Sequence, residues 1–216
     1  MLSASQIAEM DALYRNRLRS LQAVDEAVRA IYRRVESLGR LGNTYFVFSS
    51  DNGFHLGRHR LTDGKGTAYH EDLHVPLIVR GPGIPRGLVV DWLATLADLA
   101  PTFAAWAGVA PGGPVDGRSL VPVLGTAPPA LWRQSLPISY WSSPKFVGVR
   151  TLGHSYARYP AFGARELYDM RNDSEQLRNV SGTASASLMT RLDHLTSDLA
   201  ACAGAACVAR ENAAAP

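Results

Sequence analysis

Two short apolar segments on either side of a long polar loop constrain the fold of this chain more than any other feature of its sequence. Residues 45–49 and 75–79 are rich in β-branched and aromatic side chains, which is typical of buried strands. The first segment runs into Ser-Asp-Asn-Gly, so the carboxylate of Asp51 and the amide of Asn52 follow directly on a strand. In open α/β sheets, ligands usually bind where strands end. The sequence therefore predicts a polar site at the edge of a sheet.

A long amphipathic helix is predicted before the first strand. Ser3 is a candidate N-cap, with Gln6 at the capping-box position. Apolar residues then recur at steps of three and four through positions 7–38, and Gly39 ends the pattern. The opposite face carries mainly arginine and glutamate, which we interpret as a solvated face. A single helix followed at once by a strand favours packing against a sheet.

The second half of the chain is predicted to form a small antiparallel sheet with a helix. Glycine and proline at residues 111–114 mark a boundary, so we divide the chain into an α/β part, 1–110, and a second domain, 111–216. Before the boundary, the pattern predicts a short strand at 88–90 and a helix at 91–108 that is interrupted or restarted near Pro101. After it, the pattern predicts a short helix at 119–124 and a final helix at 184–201. Between them it predicts four strands, at residues 136–140, 146–151, 154–159 and 166–168. The tail from Arg210 is predicted to be frayed.

Composition excludes several classes of function. A hydrophobic fraction of 46% with 19% charged residues is ordinary for a globular protein with a sizeable core. The net charge of +3 comes without a run of lysine or arginine, which argues against nucleic-acid or membrane-surface binding. No apolar stretch approaches the ~20 residues of a membrane span. Residues 1–11 are polar and do not resemble a signal peptide.

A set of short motifs follows in a fixed order along the chain. Ser-Asp-Asn-Gly after a strand is followed, thirteen positions past the asparagine, by Lys65, and then by His-Glu-Asp-Leu-His-Val-Pro-Leu-Ile-Val-Arg-Gly-Pro-Gly at residues 70–83. Later motifs are Asp98-Leu-Ala-Pro-Thr102, Ala107-Gly108, Asp116-Gly-Arg-Ser-Leu120, Glu166-Leu-Tyr-Asp169, Glu175 and Asn179. This ordered set resembles the C-terminal part of the type I sulfatases, most closely arylsulfatases and N-acetylglucosamine-6-sulfatases, whose motifs come in the same order. The resemblance implies the closing part of an alkaline-phosphatase-like α/β domain, followed by the family's C-terminal subdomain.

Asp51 and Asn52 are the candidate metal ligands. Carboxylate and amide oxygens are hard donors that suit calcium or magnesium, and the resemblance implies that these two residues are calcium ligands. An Asx turn that merely ends a strand is the alternative for Asp-Asn-Gly. Calcium takes about six to eight oxygens, so these residues would supply only a fraction of its ligands.

The loop between the strands holds the candidate substrate contacts. Lys65 lies between two glycines, and the resemblance implies that it contacts the sulfate, whose developing charge needs cations; a solvated surface lysine is the alternative. His55 and His59 are candidate contacts to sulfate or a sugar hydroxyl, with a structural hydrogen-bonding role as the alternative for each. Arg58 stands where many relatives carry glutamate. We assign no catalytic role to the histidines that flank the acidic pair at residues 71–72.

A sulfatase also needs a nucleophilic formylglycine, made from Cys or Ser in a Cys/Ser-x-Pro/Ala-x-Arg motif. Cys202 and Cys207 do not fit this motif, and Ser135-Leu-Pro-Ile-Ser lacks its arginine. We therefore expect a C-terminal sulfatase portion that is inactive alone, with formylglycine in a missing N-terminal half as its partner. One long helix and two strands are too few to cover both faces of a parallel sheet, so we also expect exposed apolar surface.

Two other functions stay open. A phosphodiesterase or phosphonate monoester hydrolase of the same superfamily would commonly carry histidine where Asn52 stands, and an amide there favours one hard ion over a zinc pair. A non-catalytic module that binds sulfated glycans is the second. The expected ligand is a sulfated small molecule or glycan. Cys202 and Cys207 are either free thiols or a loop disulfide, and a disulfide would imply an oxidising compartment; for the intact protein we favour a periplasmic or secreted location.

Overall fold

The computed structural model describes residues 2–127 and 129–216, and the chain divides into two compact units, Met1–Ile84 and Pro85–Pro216. The first unit holds a long helix and short strand pairs, and the second holds a small antiparallel sheet with helices, which confirms the predicted mixed α/β architecture. The predicted domain boundary after residue 110 stays a prediction. Among the described residues, no helix combines the length and the apolar composition needed to cross a membrane.

Helix α1 (Ala4–Ser37) forms as predicted, because capping and apolar spacing are local signals. The side chain of Ser3 accepts a hydrogen bond from the backbone N–H of Gln6 at 3.2 Å. The side chain of Gln6 accepts one from the backbone N–H of Ser3 at 2.9 Å, which completes the capping box. After the helix, Gly39 adopts a left-handed conformation with φ +66°, the usual way for a helix to end.

The apolar face of α1 is open to solvent in this unit. Ile7, Leu21 and Ile31 are 49%, 55% and 58% exposed, whereas Met10 is buried. Contiguous apolar surface of this kind typically marks an interaction site. The expectation of exposed apolar surface is therefore confirmed.

The two strands that flank the polar loop also form, as β1 (Phe46–Ser49) and β4 (Leu77–Arg80). They pair with each other in antiparallel register, from Phe46 opposite Arg80 to Ser49 opposite Leu77. The sequence patterns predicted no pairing for these two segments, and the structure makes them antiparallel neighbours. Parallel neighbours need a crossover connection, and the loop instead carries a two-strand ribbon, β2 (His55–Leu56) with β3 (Asp63–Gly64), and the four-residue helix α2 (His70–Leu73).

The second unit begins with irregular chain and short helices. The candidate strand at 88–90 does not form, and Val89 is 80% exposed. The predicted helix at 91–108 is shortened to a 3-10 turn, Leu96–Asp98, and helix α3 (Leu99–Trp106), in which Pro101 lies in the first turn. Proline is tolerated there because those N–H groups have no partner within the helix. A 3-10 turn at Val121–Val123 replaces the predicted short helix.

A four-stranded meander forms the centre of the second unit, as predicted. Its strands are antiparallel and neighbours in the chain: β5 (Ser135–Tyr140), β6 (Phe146–Thr151), β7 (His154–Tyr159) and β8 (Ala164–Asp169). Helix α4 (Ala186–Ala200) covers one face of the sheet, and the buried core comprises Val149, Tyr156, Leu167, Met189, Leu192 and Leu199. The Tyr156 hydroxyl donates to Asp193 at 2.7 Å, and burial raises the pKa of this tyrosine above its ordinary value.

Near its C-terminus the chain forms a further helix, α5 (Ala205–Asn212), so the frayed tail predicted from Arg210 is wrong for residues 210–212. A disulfide joins Cys202, just after α4, to Cys207 within α5. Of the two states left open for these cysteines, the structure therefore has the bridged one. Helix α5 is also anchored by Glu211, whose side chain is buried within the second unit.

Glu211 belongs to a network of buried charges. The guanidinium of Arg133 binds both oxygens of Asp98, at 2.6 and 2.8 Å, and both side chains are fully buried. Asp98 also accepts backbone N–H groups from Thr95 and Arg118, at 2.9 and 2.8 Å. Glu211 lies 2.6 Å from the Arg118 guanidinium and 3.1 Å from that of Arg133. Buried charges are tolerated when they are paired in this way.

We predict that Asp98→Ala will strongly destabilise the protein. The substitution leaves the Arg133 guanidinium buried without its bidentate partner, and breaking a buried pair costs about 3–5 kcal/mol. Urea unfolding measures the loss, and Asp91→Ala, at an exposed aspartate, is the control that we expect to change stability by less than about 0.5 kcal/mol. Similar losses for the two variants would contradict the role of the network.

Candidate functional site

The turn after β1 brings polar groups to the end of a strand and is fixed to helix α2. The backbone N–H of Gly53 donates to the carbonyl of Asp72 at 2.9 Å, and that of Phe54 donates to the carbonyl of Glu71 at 2.8 Å. The approach is so close that a Cβ at position 53 would overlap the Glu71 carbonyl oxygen. Glycine at this position therefore lets the strand end lie directly against α2.

Asp51 and Asn52 present oxygen atoms at this turn. One carboxylate oxygen of Asp51 accepts the backbone N–H of Asn52 at 2.9 Å, and within the described structure the other carboxylate oxygen has no hydrogen-bond partner. The donors suit a hard cation such as calcium. In residues 2–127 and 129–216, no group of three or more His, Cys, Asp or Glu side chains could hold a metal ion. The oxygen donors therefore fit calcium in kind but form an incomplete set.

Lys65 reaches the same place from the far side of the loop. It follows β3 directly and is exposed, and its Nζ donates to the side-chain oxygen of Asn52 at 2.8 Å. The side-chain amide of Asn52 is oriented by its own bond to the Gly53 carbonyl at 2.8 Å. The structure thus brings Lys65 to Asn52 and its neighbour Asp51, which precede the lysine by thirteen and fourteen residues in sequence.

His55, three residues after Asn52, is buried and bonded to Asp72. Only 6% of the residue is exposed, and its Nδ1 lies 2.9 and 3.0 Å from the two carboxylate oxygens of Asp72. The Asp72 carboxylate also accepts the backbone N–H and the hydroxyl of Thr67, at 2.8 and 2.6 Å. A buried, bonded ring of this kind favours the structural alternative for His55.

His59 lies in a second cluster with Glu71. It adopts a left-handed conformation, φ +53°, and its ring stacks on Tyr69 with 3.6 Å between ring centroids. Its Nε2 lies 3.6 Å from one oxygen of Glu71, and Arg58 binds the other oxygen at 3.1 Å. The arginine that departs from the family pattern is therefore paired with a carboxylate within this chain.

Sequence reasoning missed the parts played by Asp72 and Thr67. Asp72 was noted only as one of an acidic pair, because nothing in its spacing connects it to a histidine seventeen residues earlier. The available signal was the position of Asp72 next to Leu73 and close to a predicted strand. A carboxylate that is buried in such a position needs hydrogen-bond donors around it. The hydroxyl of Thr67 gave no signal of its own.

Comparison with known proteins gives consistent family matches. Residues 3–109 match the family model described as Sulfatase, and residues 57–201 match the model described as N-sulphoglucosamine sulphohydrolase, C-terminal. The chain is similar to a protein named Sulfatase ppz1 from Metarhizium majus, with 37% identity over 95% of this chain and 48% of that protein. The chain thus spans less than half the length of curated relatives that it matches, between 10% and 48% of five of them.

Two solved structures are similar to the fold described here. One is an enzyme in complex with its substrate, D-glucosamine-2-N,6-O-disulfate, with a TM-score of 0.77 and 32% identity over 82% of this chain and 38% of that one. The other is a phosphonate monoester hydrolase from Silicibacter pomeroyi, with a TM-score of 0.71 and 28% identity over the same shares, 82% and 38%.

We predict that the 216-residue chain binds calcium only weakly. Two adjacent donor residues leave most of the ion's coordination to water, so we expect a dissociation constant of about 10⁻³ M or weaker by calorimetry. The residual binding should disappear in Asp51→Ala and persist in Asp63→Ala, at an exposed aspartate of the same loop. A stoichiometric site tighter than about 10⁻⁵ M would contradict this view of the donor set.

Proposed function

Because the chain belongs to the sulfatase family, we propose that it supplies one part of the active site of an enzyme that hydrolyses sulfate esters. The observation that carries the proposal is the contact between Lys65 and Asn52 beside Asp51. It puts a cation and two oxygen donors at one strand end, where the charge of a sulfate ester and a metal ion can both be accommodated.

Asp51 and Asn52 would hold a calcium ion, whose charge would stabilise the oxygens of the reacting sulfate. Asp51 can offer its unbonded carboxylate oxygen without breaking a hydrogen bond. Asn52 would share its side-chain oxygen with Lys65, since a carbonyl oxygen has two lone pairs. Neither ligand therefore needs to move far from its position in this chain.

Lys65 would neutralise the sulfate. A lysine ammonium has three N–H donors, and one of them is used on Asn52. Two donors remain for sulfate oxygens, and the exposed position of the lysine keeps them accessible. The bond to Asn52 would also hold this cation beside the metal site.

The nucleophilic formylglycine and the other calcium ligands would come from the portion of a sulfatase that lies outside the match. The exposed apolar face of α1 supports this, because it is a surface that such a portion can cover. A sulfated sugar is the substrate class we propose, on the likeness to the enzyme solved with a disulfated glucosamine. The disulfide between Cys202 and Cys207 supports a periplasmic or extracellular site of action.

Hydrolysis of phosphonate monoesters is the second candidate, supported by the likeness to the Silicibacter pomeroyi hydrolase. Sulfate and phosphonate esters are tetrahedral anions with similar needs for positive charge, so the groups at the strand end suit both. Parallel assays with an aryl sulfate and an aryl phosphonate separate the two, and faster turnover of the phosphonate would favour the second candidate.

We predict that Lys65→Ala lowers kcat about a hundredfold or more in the enzyme reconstituted with a sulfatase N-terminal portion, while calcium stays bound. The matched control is Lys145→Ala, which removes the other lysine of the chain, also exposed. A rise in KM with unchanged kcat would instead show that Lys65 binds the substrate equally strongly in the ground state and in the transition state.

We predict that the 216-residue chain alone does not hydrolyse p-nitrophenyl sulfate in the presence of calcium, because no residue in it has a formylglycine context. Co-expression with a sulfatase N-terminal portion and the formylglycine-generating enzyme should raise both solubility and turnover. Calcium-dependent turnover by the chain alone, lost in Asp51→Ala, would refute this assignment.

A further inference from the structure

Asp72 connects the two segments that carry the proposed site residues, through its backbone on one side and its carboxylate on the other. Its backbone carbonyl accepts the N–H of Gly53, which directly follows Asn52. Its side chain accepts two hydrogen bonds from Thr67, which lies two residues after Lys65. A single buried residue therefore sets the separation between the strand end and the loop that carries the lysine.

His55 extends the same connection to the residue before the lysine. In the β2–β3 ribbon it lies directly opposite Gly64, and its Nδ1 is held by Asp72. Its ring packs on the glycine so closely that a Cβ at position 64 would lie 3.1 Å from the ring Nε2. Gly64 also has φ +153°, which side-chain-bearing residues rarely adopt. The ring thus fixes the backbone immediately before Lys65.

Lys65 is consequently anchored on both sides while its own side chain is exposed. Gly64 is held by His55, and Thr67 is held by Asp72, so the backbone between them has little freedom. A long lysine side chain loses much rotamer freedom when its ammonium is held. The bond to Asn52 is favoured because the backbone already aims the side chain at it.

We propose that Asp72, acting through His55 and Thr67, is the positioning residue that holds Lys65 against Asn52. Asp72 is buried, and its carboxylate is bonded to His55 and Thr67. Its importance for turnover rests on the proposed function, in which this lysine neutralises the sulfate. The positioning itself is a property of the chain and is measurable without any reaction.

Lysine acetylation measures the position of Lys65 directly, because the chain has two lysines, Lys65 and Lys145, and the second serves as an internal reference. A hydrogen-bonded amine reacts more slowly than a free one. The ratio of acetylation at the two sites is read by peptide mass spectrometry on the 216-residue chain at micromolar concentration, under conditions where circular dichroism shows each variant folded.

Four variants are compared with the unaltered chain: Asn52→Ala, Asp72→Ala, Thr67→Val and Asp63→Ala. Asn52→Ala removes the acceptor and sets the scale, with an expected rise of about fivefold in the Lys65 to Lys145 ratio, the equivalent of one ordinary hydrogen bond. Asp72→Ala should give a similar rise. Thr67→Val, which removes only the hydroxyl donor, should raise the ratio about twofold. Asp63→Ala, at an exposed aspartate one residue from Gly64, should leave it unchanged.

A residue that only stabilises the fold would lower the unfolding midpoint and leave the ratio unchanged in the folded chain. An unchanged ratio in Asp72→Ala, with a raised ratio in Asn52→Ala, therefore overturns the proposal. If Asp72→Ala does not fold, the milder Thr67→Val decides the question by the same criterion.

The proposed function fails separately from the positioning. In the reconstituted enzyme, Asp72→Ala should lower kcat more than it raises KM if Lys65 acts in the transition state. A raised acetylation ratio with unaltered kinetics would leave the positioning intact and show that the lysine has no part in turnover.

Discussion

A carboxylate cannot stay buried in a protein interior unless donors surround it, and each unit of this chain contains a buried aspartate that meets this condition. In the first unit, Asp72 gathers His55 and Thr67. In the second unit, Asp98 gathers the guanidinium of Arg133 and two backbone N–H groups. Both aspartates join segments that are distant in sequence. Each therefore fixes the position of the loops that it joins and also contributes to the stability of its unit. In the first unit the buried aspartate lies next to the proposed reaction site, and in the second it holds together segments away from that site.

Local signals in the sequence were sufficient for much of the fold. The capping box of α1 and the bounds of β6 and β7 agree with prediction, because caps and alternation involve neighbours in the chain. Features that depend on distant partners were not predictable in the same way. The antiparallel pairing of β1 with β4 depends on the path of the intervening loop. The formation of α5 depends on the burial of Glu211 against Arg118 and Arg133, which precede it by 93 and 78 residues.

The candidate site divides along the same line. Asp51 and Asn52 could be proposed from chemistry and position, because a strand end rich in oxygen donors is recognisable in one segment. Lys65 came from the family resemblance, and the structure adds that its ammonium contacts Asn52. The histidines carried the least information, since the same ring can bind a ligand or a buried carboxylate. His55 proved to be bonded to Asp72, a partner that no spacing rule connects to it.

The connectivity of the meander has a consequence for folding kinetics. In the described part of the chain, strands β5 to β8 pair with their neighbours in sequence, so the sheet forms from contacts that are close along the chain. The first unit instead leaves the apolar face of α1 without cover. We therefore expect the meander to reach its native packing before the first unit does, although it is synthesised later, an order that pulsed hydrogen-exchange labelling would reveal. Earlier protection of the amides of β1 and β4 than of those in the meander would contradict it.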